Sequence, residues 1–287
     1  MNTIELPQGT LAYDDVGQGP PVVFVHGLLV NRLLWRNVVP TLSKHARCIV
    51  PDLPLGSHRI PMKADADLSV DGVAQLIADF IEALDLKDVT LVGNDSGGAI
   101  SQVVAARHRD RIGRLVLTTC DAYEVFPPPE FAYLKWMSYV PGLTGALARG
   151  MLHVPPLRRL PMAYGMLSKT RIPEDVLTEY VRPSATSAGV RRDVAKFTRS
   201  TNKQVTMRVA EELRSFPHPA LLLWATNDRF FPISLAERLT NEMPNARLVP
   251  LENTGVFTPE DAPERVAEEI AAFVADVPVI ETRAAPN

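Results

Sequence analysis

The residues from Val89 to Ala106 limit what this chain can fold into more than any other stretch. Val89, Leu91 and Val92 make an apolar strand that runs straight into Gly93-Asn94-Asp95-Ser96-Gly97-Gly98, and Ala99, Ile100, Val103, Val104 and Ala106 then recur at helical spacing. Strand, tight turn and helix fit into so few residues only where the two elements pack closely, which calls for small residues at the contact. The small residues at 93, 97 and 98 put Asp95 at the centre of the turn, and Ser96 falls one place too late for a central serine. A Gly-rich phosphate loop is the competing reading, but the turn lacks both a phosphate-binding lysine and the second half of a dinucleotide fingerprint.

On either side of this stretch the chain alternates between strand and helix patterns. Leu11-Ala12-Tyr13 and the turn at Gly17-Gln18-Gly19-Pro20 predict an opening hairpin, and Val22 to Val25 a buried strand ending at His26-Gly27. A helix is expected through Leu34, Trp35, Val38 and Leu42, then a strand from Ala46 to Val50, then a helix N-capped by Ser69 with an apolar stripe at Val73, Leu76, Ile77, Phe80, Ile81 and Leu84. Ile112 to Thr119 is a further strand. This rhythm predicts a parallel sheet with right-handed crossovers.

The rhythm breaks at Pro127-Pro128-Pro129, after which no strand pattern appears until Ala220 to Trp224. Between them lie Pro-interrupted segments rich in Met, Leu, Tyr and Arg, suited to an adaptable apolar lining or to simple packing. A helix from Ser234 to Met243, a strand from Arg247 to Leu251 and a helix starting near Pro263 close the pattern, and the tail after Val277 is expected to be loose.

With 287 residues and 46% hydrophobic content the chain can bury a large core, and its net charge of -3 leaves no basic footprint for nucleic acid. That balance fits a small, neutral substrate. The first residues carry no basic segment followed by an apolar run, and no stretch approaches bilayer-spanning length, so a cytoplasmic protein with no membrane partner is expected. Cys48 and Cys120 sit at strand ends as small core residues.

The motif G-x-D-x-G-G at 93–98, together with His26-Gly27 and Asp228, resembles the α/β-hydrolase family, and within it the branch with an aspartate nucleophile, the epoxide hydrolases and haloalkane dehalogenases. The resemblance covers nearly all of the chain outside 125–215. It implies an α/β-hydrolase fold with a mostly parallel central sheet flanked by helices, a core domain from 1–124 and 216–287, and a helical cap inserted at 125–215. It further implies Asp95 as nucleophile, Leu28 and Ser96 as backbone donors of an oxyanion hole, and Asp228 as the acid that orients a histidine, with Glu124 and Asp121 as second choices. His26, Glu124, Tyr133, Trp136 and Val256 are expected around the substrate, with no cofactor and no metal.

One member of that machinery is missing. The family places its histidine between a Gly and a Phe ahead of an Asp-x-Pro-Glu helix start, and here the residues are Gly255-Val256-Phe257 and Asp261-Ala262-Pro263-Glu264. Valine carries no proton, and no histidine follows His218. His45, His108 and His218 belong to the opposite end of the sheet and His153 to the cap, which leaves His26 and His58 on the active side. His26 belongs to the His-Gly turn, so His58 is the candidate replacement base.

The family's halide-binding Asn and Trp are replaced by Leu28 and Ser96, which argues against dehalogenation. Tyr133, Tyr139, Tyr164 and Tyr180 are available to protonate an epoxide oxygen. Three readings stand: Asp95 doing lyase, isomerase or cyclase type acid/base chemistry on an apolar metabolite; epoxide or ester hydrolysis with His58 as base; or a binding protein without catalysis.

Overall fold

The computed structural model describes residues 1–140 and 142–276; the expectation for the tail lies outside the described residues. The opening hairpin forms, but one strand earlier than expected. Strands β1 (Asn2–Leu6) and β2 (Gly9–Val16) pair antiparallel, and the glycine turn carries the chain from β2 to β3 (Pro21–Val25), which is not its neighbour. β2 pairs instead with β4 (Arg47–Pro51). Gly17, at φ +85, fits because a Cβ there would collide with the carbonyls of Ser43 and Ala46, just ahead of β4.

The helix expected between Leu34 and Leu42 is two short pieces, a 3₁₀ turn at Arg32–Trp35 capped by Asn31 and helix α1 (Val39–Leu42). Pro40 explains the interruption, since it can occupy only the first turn of a helix. Helix α2 (Val70–Ala83) starts as expected, with the Ser69 hydroxyl accepting from the Gly72 N–H at 3.1 Å.

β5 (Val89–Asp95) leads directly into α3 (Ser96–Arg107), and β6 (Ile112–Cys120) follows. Between β6 and β7 (Ala220–Ala225) the chain is helical: α4 (Ala132–Met137), α5 (Leu143–His153), α6 (Glu174–Thr186), α7 (Ala188–Ser200) and α8 (Lys203–Leu213). α8 packs on α3 beside the sheet, so it acts as the crossover into β7. Helix α9 (Ile233–Glu242), β8 (Ala246–Leu251), α10 (Thr258–Asp261) and α11 (Pro263–Asp276) complete the described chain.

The eight strands are ordered β1-β2-β4-β3-β5-β6-β7-β8, parallel from β4 onward. β6 and β7 are buried at every position, as expected of strands covered by helices on both faces. The chain leaves β3 toward β4 on one side and returns to β5 on the other. The crevice at that switch lies beyond the carboxyl ends of β3 and β5, where His26-Gly27-Leu28 and Asp95 emerge. Cys48 and Cys120 are free and buried. Among the described residues no helix is long and apolar enough to cross a membrane.

Candidate active site

Asp95 has φ 54 and ψ −132, a left-handed conformation that costs an aspartate on the order of 1–3 kcal/mol and persists because its surroundings leave no alternative. Gly97 lies so close to the carbonyls of Val25 and His26 that a methyl group would overlap them, and Gly98 lies as close to Cys120. The Asn94 amide ties the turn down, donating to the Thr118 carbonyl at 3.0 Å and to the Val256 carbonyl at 2.8 Å.

The loop after β3 is fitted to the same carboxyl. A Cβ on Gly27 would strike the Asp95 side chain, so glycine is required there. Leu29 takes φ 58, its N–H donates to the Leu55 carbonyl at 2.8 Å, and its own carbonyl accepts from the Tyr164 hydroxyl at 2.6 Å. Held this way, the backbone N–H groups of Leu28 and Ser96 face the Asp95 carboxyl and favour its charged form. Burial pushes the Asp95 pKa up, the two N–H donors pull it down and the Asp228 charge pushes it up again, leaving it at about 7.

Asp95 opens on a cavity of about 530 Å³. Leu28, Leu29 and Ser96 form its floor, and Phe126, Phe131, Tyr133, Leu134, Met137, Leu143, Met151, Met162, Tyr164 and Leu167 are among the residues of its walls and roof. The roof therefore comes from α4, α5 and the segments around them. Asp95 is the only carboxylic acid and Lys135 the only basic side chain among the described lining residues. Two tyrosines reach the cavity, but both hydroxyls are spent on the backbone: Tyr133 donates to the Met162 carbonyl and Tyr164 to that of Leu29. Neither is free to protonate a substrate oxygen.

Behind the elbow, at the end of β6, Asp121 is buried with no well-formed hydrogen bond to either carboxyl oxygen. Burial and the neighbouring Asp95 charge raise its pKa well above the ordinary value, against a smaller pull from the Ser96 hydroxyl, so the neutral acid is favoured. Two carboxyl groups this close in a dry site do not both ionise, which makes Asp95 and Asp121 a coupled pair.

A family model described as alpha/beta hydrolase fold matches residues 20–263. The chain belongs to this family. As an α/β-hydrolase-fold protein it has curated relatives across nearly its full length. "Haloalkane dehalogenase 2" of Mycobacterium tuberculosis (strain ATCC 25618 / H37Rv) is 29% identical over 92% of this chain and 91% of its own. "Cis-3-alkyl-4-alkyloxetan-2-one decarboxylase" of Shewanella oneidensis is 26% identical over 96% of this chain and 88% of its own. Among solved structures, the epoxide hydrolase CorEH superposes with a TM-score of 0.79 at 20% identity, covering 96% of this chain and 98% of that one, a likeness of fold.

The α/β-hydrolase frame sorts the remaining expected site residues. Val256, between Gly255 and Phe257, is fully buried and outside the cavity lining, with its backbone held by Asn94. Asp228 accepts from the N–H groups of Phe230 and Phe231, both at 2.8 Å, and acts on Asp95 through its charge without lining the cavity.

His58 is not placed as a base. Its Nδ1 accepts from the Gly56 N–H at 3.4 Å, so Nε2 carries the proton and donates to Asp193 of α7 at 3.2 Å; the ring is buried and outside the lining. His26 is likewise structural and does not line the cavity. The Leu53 N–H donates to its Nε2 at 2.9 Å, so Nδ1–H faces the Gly27 carbonyl, and burial lowers its pKa to about 4, keeping it neutral.

Two other expected lining residues face away. Trp136 is 67% exposed because Tyr133, Leu134 and Met137 turn the other side of α4 inward. Glu124 follows Tyr123, at φ 50, and its side chain points to solvent and Arg238. Lys135 on α4, Thr198 on α7 and Thr201 just after α7 also line the cavity, and no periodicity in the sequence announces that these faces turn toward it. Among the described residues no group of three or more His, Cys, Asp or Glu could hold a metal ion.

Proposed function

We propose that this chain is an enzyme in which Asp95 moves a proton on a small, largely apolar substrate without a cofactor, in a lyase, isomerase or cyclisation reaction. The observation that carries this reading is Val256. A carboxylate that attacks carbon forms an ester, and turnover then needs a base to activate water. At the position where the family holds that base stands an aliphatic side chain, and His58 has both ring nitrogens engaged elsewhere. A carboxyl poised near pH 7 in an apolar cavity needs no such partner, since it can take up and return a proton by itself. The relative from Shewanella oneidensis, named as a decarboxylase, supports non-hydrolytic chemistry on a related chain.

One observation favours a second reading, hydrolysis of an epoxide or ester. The Leu28 and Ser96 N–H groups cradle the Asp95 carboxylate as they would cradle a nucleophile. Intact-protein mass spectrometry after incubation with a pool of small epoxides and activated esters separates the two, with Asp95→Ala as control. Proton transfer predicts an unchanged protein mass. A persistent adduct that the control lacks would overturn it in favour of a nucleophile whose ester is not released.

A further inference from the structure

Lys135 differs from the basic side chains that end in ion pairs. Arg36 pairs with Glu260, Arg158 with Glu174, and Arg32 with Asp14 and Asp52. Lys135 lines the apolar cavity, and among the described residues no carboxylate lies within ion-pair distance of its ammonium. Its one hydrogen bond is a donation to the Thr201 carbonyl at 2.5 Å. An ammonium has three protons to donate, so two remain. The hydroxyls beside it form no hydrogen bond with the ammonium; Thr201 Oγ1 donates to the Thr198 carbonyl at 2.8 Å and Thr198 Oγ1 to that of Val194 at 2.9 Å.

A cation with spare donors against apolar walls is favourable where its opposite charge arrives with the ligand, because the low local dielectric strengthens the pairing. We infer that Lys135 is the recognition group for a carboxylate on the substrate, so that the cavity takes a monoanionic acid with an apolar body. A single cation matches a single negative charge; a phosphate dianion would call for a second basic group, and none lines the cavity among the described residues. The inference deepens the proposed function in that it uses the same cavity, but it does not depend on what Asp95 does there.

Titration calorimetry at neutral pH with octanoate and 1-octanol, which share an apolar body, tests it. The parent protein is expected to bind octanoate more tightly than octanol. Lys135→Met should weaken octanoate by at least about tenfold and leave octanol unchanged, which also shows that the cavity is intact. Lys135→Arg should retain most of the octanoate affinity. Asp95→Asn should bind octanoate as well as the parent or better, since the negative charge it removes repels the ligand. Equal losses for both ligands in Lys135→Met, or no loss, would reduce Lys135 to a tie between α4 and Thr201. Octanoate binding that survives Lys135→Met but is lost in Asp95→Asn would place the ligand's carboxyl group against Asp95, sharing a proton with it, and overturn the assignment. Failure of the Asp95 reading appears instead as a covalent adduct, which these titrations do not measure.

Discussion

Asp95→Asn is expected to lower turnover by about a thousandfold or more while the protein stays folded. Asparagine keeps the shape of the side chain and an oxygen for the Leu28 and Ser96 N–H groups, so what disappears is the capacity to exchange a proton. The same variant should change stability in a definite direction. Asp95 is raised from 3.8 to about 7 in the folded protein, so the folded state holds this proton more tightly than the unfolded chain. Its contribution to stability is complete below the unfolded value and is lost as pH rises through the folded one. Denaturant melts should therefore show the parent losing stability between about pH 4 and pH 7, and Asp95→Asn losing less, so that the variant is the more stable protein at mildly alkaline pH. A variant that keeps parental turnover would remove Asp95 from the chemistry.

Gly97→Ala is expected to be the most damaging single methyl addition in the core. The new Cβ would overlap the backbone oxygens of Val25 and His26, which belong to β3 and its exit and cannot step aside as a flexible side chain can. Overpacking of this kind costs about 1–3 kcal/mol where side chains yield, and more where backbone must move. Loss of most folded protein, or a large fall in the denaturant midpoint, is the expected result. Gly150→Ala in α5 is the control. Its nearest neighbour is the Leu157 side chain at 3.6 Å, so it should be neutral or stabilising by up to about 1 kcal/mol. Comparable midpoints for the two variants would mean that strand and helix do not meet as closely at the elbow as described.

The elbow was legible in the sequence because its requirements are steric. Only small residues at 93, 97 and 98 let the helix turn back over the strand, and that register singles out Asp95 rather than Ser96. Leu28 was legible only through the family resemblance, as the residue after the His-Gly pair. The cavity roof was not legible. Its helices are short, carry prolines at their edges, and choose their inward face by contact with one another, so nothing in the sequence tells the outward Trp136 from the cavity-lining Lys135 beside it. His58 leaves a strand end on the active side, but its partner, Asp193, is 135 residues further along the chain, beyond the reach of any local pattern. Asp121 stood among the second choices for the acid. What the sequence did not reveal is that it is buried without a well-formed hydrogen bond.

The central claim is that Asp95 exchanges its proton near neutral pH. The direct measurement is a titration followed by carbon NMR of protein labelled at the aspartate carboxyl carbons, with Asp95→Asn identifying the signal. A resonance missing from the variant should titrate near pH 7 in the parent, above the ordinary 3.8. With a substrate in hand and Asp95 as base, kcat/KM should rise about tenfold per pH unit below that value and level off above it. A signal that titrates near 4 would show a permanently ionised carboxylate, and the proton-transfer account would be wrong.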